Sequence, residues 1–213
     1  ITTSLEVAWQ FGLRGNKVIY SAHNFPENKK WLVKFFLSGV SGIVANSEGT
    51  AEAFRNAGFK RIKTVRNGVQ LSDFLDLNKS KRELRAELSL PQDKKIILFA
   101  GHLYAWKGVD VIVETAAKMK DVKETLFVMI GGTSHDADKY RGIVKKIGIA
   151  NMLILGHMEK GLIPAYLKSA DVLLMPNVPI SDESKYYTSP IKMFEYMASK
   201  VPIIASDLPS LKE

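Results

Sequence analysis

An α/β protein with two doubly wound parallel layers, the first incomplete, is what this chain of 213 residues predicts. Three observations carry that prediction. From residue 94 onward, short continuously apolar runs alternate with amphipathic stretches of helical period. The apolar runs lack the in-out alternation of a half-solvated sheet, so they read as strands covered on both faces. Residues 1–70 repeat the same theme on a smaller scale. Parallel strands need crossovers, and right-handed crossovers put helices over both faces of the sheet.

In the second layer, KKIILFAG (94–101) reads as a buried strand, VDVIVETAAKMK (109–120) as a helix and TLFVMIGG (125–132) as a strand. ADKYRGIVKKIG (137–148) is helical, MLILG (152–156) a strand, KGLIPAYLKSA (160–170) a helix and DVLLMPN (171–177) a strand. A Ser-Pro pair then opens IKMFEYMAS as a helix, and PIIAS (202–206) closes the series as a strand. In the first layer SLEVAWQFGLRG is helical, KVIYSA (17–22) and GIVANS (42–47) are strands, SEGTAEAFRNAGF is a helix and KTVRNG (63–68) a short strand. The polar stretch between them holds one helix (81–90) and a proline stop. The expected division is therefore 1–72 for a partial N-terminal domain, 73–93 for an interdomain connection and 94–213 for a C-terminal domain lacking its end. Three strands are few for an independent layer, and the chain is expected to be cut at both ends.

The composition is 46% hydrophobic and 24% charged, with no cysteine, which excludes disulfides and thiolate metal sites. Apolar runs such as IILFA and VLLM are far shorter than a membrane span. The net charge of +8 is unevenly placed, with ten Lys/Arg and four Asp/Glu in residues 1–70. Such asymmetry points to an anionic partner, a membrane surface or nucleic acid, or to a plain solvated basic face. Nucleic acid is disfavoured, because no RNP-like or helix-turn-helix signature appears.

Ligands of open α/β sheets lie beyond the carboxyl ends of the strands. Four loops stand there: GHLYAWKG (101–108), GGTSHDADK (131–139), GHMEKG (156–161) and YYTSPIK (186–192). Helix-start N–H groups with Lys107 and Lys192 nearby make a site for phosphate groups. Lys192 stands at the helix end where a cation is unfavourable, so a bound anion would explain it; a lysine whose stem snorkels along the surface would explain it as well. Glu195 would be repelled by phosphate and is expected to face sugar hydroxyls. Neither GxGxxG nor GxxxxGK[ST] is present. Asp136 and Asp138 mimic a DxD metal motif, but acidic residues at a helix start are more often caps. The four histidines show no metal-site spacing.

RNGV followed by Phe74, FAGHLYAWKGVDVI, FVMIGG, LGHMEKGLIPAYLKSADVLLMPN and SPIKMFEYMASKVPIIASD occur in that order. Together they resemble the donor half of retaining glycosyltransferases of the GT-B fold, group 1, family 4, over residues 17–213. The resemblance implies two Rossmann-like domains, a UDP- or GDP-linked sugar as donor substrate, no further cofactor, no metal and transfer with retention. It implies a hexosyltransferase-type enzyme of cell-envelope polysaccharide biosynthesis, acting on an acceptor glycan or lipid-linked sugar. The implied place is cytoplasmic or peripheral at the inner membrane face. An inactive sugar-nucleotide-binding domain of the same fold is the alternative.

By position, Lys107 looks like the family lysine that neutralises the departing diphosphate, and His23 like the acceptor-domain histidine near the transferred sugar. Glu195 looks like the second Glu of the E-x7-E motif, on the ribose hydroxyls. Ser189, Pro190 and Ile191 match the backbone that meets the phosphates, with Lys192 beside them. His157 and Met158 match the loop touching the base, and Gly101 and His102 the loop after the first strand of that domain. Two positions depart from the family pattern: Tyr187 stands where its first Glu belongs, and His102 where it has an arginine. Finally, ENKKWLVKFFLSG (27–39) combines Lys29, Lys30 and Lys34 with Trp31, Phe35 and Phe36. Its aromatics either pack into the N-terminal core or meet an anionic membrane.

Overall fold

The computed structural model describes residues 1–181, 183–187 and 190–212. The chain forms two compact units, one of Ile1–Asn67, Pro179–Pro190 and Asp207–Glu213, the other of Gly68–Val178 and Ile191–Ser206.

The first unit carries α1 (Leu5–Leu13), β1 (Ile19–Ala22), α2 (Lys30–Phe36), β2 (Gly42–Ala45), α3 (Glu48–Asn56) and β3 (Ile62–Thr64). Its strands pair in parallel in the order β1-β2-β3. Each of α1 and α3 starts at a serine whose hydroxyl accepts from a first-turn N–H, Ser4 from Val7 and Ser47 from Thr50, as capping chemistry dictates. Phe54, 1% exposed, anchors the core, with the rings of Phe25 at 4.8 Å and Phe59 at 5.5 Å.

On α2 the expected aromatic face does not go inward as a whole. Val33 and Leu37 fill the core, while Trp31 is 70% and Phe35 53% exposed. Phe35 and Phe36 meet Trp9 of α1 instead, the first tilted and the second edge-on. The helix has only seven residues, and Val33 with its C-cap Leu37 is the i, i+4 pair that anchors it to the core. The π-helical turn Glu183–Tyr187 and α10 (Pro209–Lys212) also belong to this unit.

The second unit holds α4 (Ser72–Leu75), α5 (Lys81–Glu87), β4 (Lys95–Ala100), α6 (Val109–Lys118), β5 (Thr125–Ile130), α7 (Ser134–Lys146), β6 (Met152–Gly156), α8 (Ile163–Ser169), β7 (Val172–Met175), α9 (Ile191–Ser199) and β8 (Ile203–Ala205). Its parallel sheet has the order β6-β5-β4-β7-β8. Phe99, Phe127 and Met129 meet α6 and α7 on one face. The alternate residues Ile96, Leu98 and Leu173, all 0% exposed, look to the other face, where Tyr196 of α9 bonds Ala100. From β4 the chain passes through α6 to β5 on one side; from β7 it passes through α9 to β8 on the other. The β4/β7 boundary is thus the switch point of the sheet, the place where such folds bind ligands.

Residues 73–93 are not a connection between domains. They fold onto the second unit through Arg85, 5% exposed, which donates to the carbonyls of Ser169 and Lys94 and to the Asp171 carboxylate. Lys168 donates to the carbonyls of Phe74 and Leu77. The expected division at 94 is corrected in a second way, since Pro179–Pro190 and Asp207–Glu213 rejoin the first unit. Helix α7 starts earlier than periodicity suggests, because Thr133 and Asp136 form a reciprocal capping box ahead of it.

Candidate functional site

At the carboxyl edge of the second sheet lies a pocket of about 750 Å³. Ala100, Gly101 and His102 enter from the end of β4, Ile130 to Ser134 from the end of β5, His157, Met158 and Lys160 from the end of β6, and Lys192 from α9. All four loops expected at this edge therefore contribute. Backbone spacing makes the convergence possible. Gly131 has φ +116°, and a Cβ there would lie 2.0 Å from the Gly101 carbonyl oxygen, a contact no other residue tolerates. Arg141 fixes the third loop by donating to the carbonyls of Ile154 and Leu155. His102 is exposed, its ring stacked 5.0 Å from Tyr104.

Lys192 and Glu195 meet each other, where the sequence placed them on different parts of a ligand. The Lys192 ammonium lies 2.5 Å from a Glu195 carboxylate oxygen, with side-chain exposures of 30% and 12%. Three residues apart on one helix, they are neighbours by geometry. That pairing by itself accounts for a cation at this end of the helix.

Lys107 stands on the turn Ala105–Lys107 that leads into α6. Its ammonium lies 3.9 Å from the Trp106 ring centroid, and burial pushes its pKa down to about 8. The turn is locked against β7: Gly108 has φ +74°, a Cβ there would lie 1.8 Å from the Pro176 carbonyl oxygen, and the Val178 N–H donates to the Trp106 carbonyl at 2.9 Å. Lys107 thus belongs to the β4/β7 switch point, though it does not line the open pocket. On the other face of the sheet Tyr196, fully buried, donates to the Ala100 carbonyl and accepts from the Ala100 N–H. This ties α9, with Lys192 and Glu195, to the same strand end. Burial also raises the Tyr196 pKa, so its hydroxyl stays protonated.

Other expected site residues lie elsewhere. His23 is exposed after β1 in the first unit, its carbonyl accepting from the Asn46 amide. Tyr187 packs on the first unit's core, and its carbonyl accepts from Ser47 and Thr50. Pro190 is grouped with the first unit and Ile191 with the second, Ile191 being 52% exposed. Ser189 falls outside the described residues. Asp136 caps its own helix by accepting from the Thr133 N–H and hydroxyl, and Asp138 pairs with Arg141 at 2.8 Å, so both acids of the DxD-like pair serve α7. Sequence reasoning missed Asn177, whose side chain is 2% exposed with neither amide atom bonded. A polar residue in register with Leu173 and Met175 was the available signal.

A parallel α/β sheet with a loop-lined pocket at its switch point is Rossmann-like, and superposition on solved structures makes the fold that of GT-B glycosyltransferases. The chain superposes on Anabaena Alr3699/HepE, crystallised with UDP, with a TM-score of 0.76 at 17% identity over 98% of this chain and 58% of that one. Residues 80–213 match the family of glycosyl transferases group 1, and the chain belongs to that family. An uncharacterized 41.2 kDa protein in the cps region of Klebsiella pneumoniae is 30% identical over 209 residues, 92% of this chain and 54% of that protein. A putative teichuronic acid biosynthesis glycosyltransferase, TuaC of Bacillus subtilis, is 23% identical over 98% of this chain and 49% of that protein. The chain thus spans about half the length of the curated relatives it matches.

Proposed function

We propose that this chain carries the donor side of a retaining glycosyltransferase, which moves a sugar from UDP or GDP to an acceptor glycan or lipid-linked sugar. The observation that supports the reading is the convergence of four loops on one pocket at the carboxyl edge, with Lys192 inside it, in a chain of the group 1 family. N–H groups at the helix starts and the ammonium groups of Lys107 and Lys192 suit a diphosphate. Charge stabilisation of that leaving group, without a bound metal, is the main catalytic term of the reading. Glu195 is proposed to leave Lys192 to the phosphates and accept from ribose hydroxyls. Main-chain groups around His157 and Met158 meet the base, and His23 serves the acceptor side. Relatives named for teichuronic and colanic acid biosynthesis support a cell-envelope polysaccharide as the setting; the place proposed with it is cytoplasmic or peripheral at the inner membrane face.

Titration calorimetry with UDP, GDP and ADP tests the reading. One nucleotide is expected to bind to the wild type and to bind at least tenfold more weakly to Lys107→Ala and Glu195→Ala. Binding unchanged in both variants would refute the site. A second reading, a sugar-nucleotide binder without turnover, is favoured by Tyr187, which brings no carboxylate to the site and packs in the first unit's core. Donor hydrolysis by a chain that binds its donor would decide for the enzyme.

A surface of the first unit supports contact with an anionic membrane through residues 27–39. Trp31 and Phe35 are exposed beside Lys30 and Lys34, and Phe11 and Leu13 of α1 are 46% and 68% exposed. No described helix is long and apolar enough to cross a membrane, so the contact proposed is peripheral.

A further inference from the structure

Asn177 lies two residues beyond the end of β7 and continues the alternate-residue spacing of Leu173 and Met175; Leu173, Met175 and Asn177 are 0%, 3% and 2% exposed. Leu174 packs with α6 and α7 on the opposite face, so the register of Asn177 is that of the face covered by α8 and α9. Helix α9 brings Lys192 and Glu195 to that face's carboxyl edge. The backbone on either side of Asn177 is pinned to the turn bearing Lys107, through the Gly108–Pro176 approach and the Val178–Trp106 hydrogen bond.

In this position both the amide nitrogen and the amide oxygen of Asn177 are buried without a hydrogen-bond partner. A buried amide left unpaired costs free energy, and an apolar residue of the same size would be better for folding alone. Asn151 makes the contrast. Its oxygen is also unpaired, but its nitrogen donates to the carbonyls of Ala116 and Met119 and ties α6 to the start of β6. Asn177 makes no such tie.

We propose that Asn177 is a sugar-recognising residue of the donor site, its amide satisfied by hydroxyls of the transferred sugar. This rests on the donor reading above and specifies the part of it that Tyr187 leaves without a carboxylate. Asn177 and Tyr187 lie on the same β7–α9 connection, but only Asn177 stays with the second unit. An amide offers a donor and an acceptor together, matching neighbouring hydroxyls of a pyranose. Being neutral, it does so without repelling the adjoining diphosphate. The amide atoms are buried, so the proposed contact requires the sugar to displace the atoms that cover them.

The test uses the 213-residue chain and Asn177→Leu, with Asn177→Ser as the variant that keeps a polar group should the leucine fail to fold. Thermal unfolding without ligand and calorimetry with UDP, UDP-glucose, UDP-N-acetylglucosamine, UDP-galactose, GDP and GDP-mannose are measured on each. For Asn177→Leu the expected result is an unchanged or higher midpoint, unchanged affinity for the bare diphosphate, and at least a tenfold loss for the sugar nucleotide that the wild type prefers. Asn177→Ser is expected to show the same selective loss for the sugar nucleotide. A lower midpoint with both ligands weakened equally would mean a structural role, and unchanged sugar-nucleotide affinity would mean that a water occupies the amide. Either overturns the proposal while the donor reading stands. So does a wild type that binds a diphosphate but prefers no sugar nucleotide to it. A wild type that binds none of the six ligands overturns the donor reading and this proposal together.

Discussion

Lys192 and Lys107 are both cations near helix starts, where the dipole disfavours them by about 0.3–1 kcal/mol, and the structure treats them differently. Lys192 is neutralised by Glu195, so a diphosphate must compete with a carboxylate for it. Glu195→Gln is expected to leave the unfolding midpoint nearly unchanged, since partly exposed pairs contribute about 0–1 kcal/mol, and to weaken nucleotide binding measurably by calorimetry if the charged acceptor lost to the ribose hydroxyls outweighs the release of Lys192. The Lys107 ammonium lies against the ring face of Trp106, and burial lowers its pKa from 10.5 to about 8. The folded chain therefore holds fewer protons than the unfolded one between about pH 8 and 10.5, and the contribution of this group to stability rises with pH across that window. A bound diphosphate restores the charge. Nucleotide binding at pH 9 is expected to take up protons, seen as a calorimetric enthalpy that varies with the ionisation enthalpy of the buffer and ceases to vary in Lys107→Met.

Among the elements, the turn before α6 and the α5–β7 clamp carry the most definite energetics. Gly108→Ala would drive a methyl into the Pro176 carbonyl at a left-handed position; a loss of at least about 2 kcal/mol is expected in urea unfolding, together with weaker nucleotide binding as the Lys107 turn moves. Asp171 immediately precedes β7 and accepts from Lys81 at 2.9 Å, Arg85 at 2.6 Å and the Ile96 N–H at 2.8 Å. Burial alone would raise its pKa, yet these donors hold it at about 2. Its stabilising contribution is complete above the ordinary value of 3.8 and is lost as pH falls toward about 2. Asp171→Ala, which strands the nearly buried Arg85 guanidinium, is expected to cost about 3 kcal/mol in the same assay and to leave the pocket chemistry untouched.

At the scale of the molecule, the basic excess of residues 1–70 coincides with the exposed aromatics of α1 and α2. Co-sedimentation with vesicles of phosphatidylglycerol is expected for the wild type at low salt, reduced at 0.5 M salt as screening predicts and abolished in Trp31→Ala/Phe35→Ala. Equal sedimentation of that variant would remove the membrane contact. The second unit was legible almost strand by strand, because β4 to β7 are continuous apolar runs and α6 and α7 keep a helical period. The boundaries were not legible: Arg85 and Lys168 reach across distant sequence, and no local pattern reveals that 73–93 folds onto the second unit.

The amino-acid order alone determined the layer architecture, the loops at the carboxyl edge and the identity of Lys107, Lys192 and Glu195 as candidates, because these follow from short-range periodicity and turn chemistry. Tertiary structure alone decided that Lys192 bonds Glu195, that Tyr187 packs with the first unit, that Trp31 and Phe35 remain outside, and that Asn177 is buried without a partner. Each of those outcomes depends on which groups from remote segments arrive within about 3 Å of one another, and burial and pairing are properties of that arrival rather than of any residue by itself.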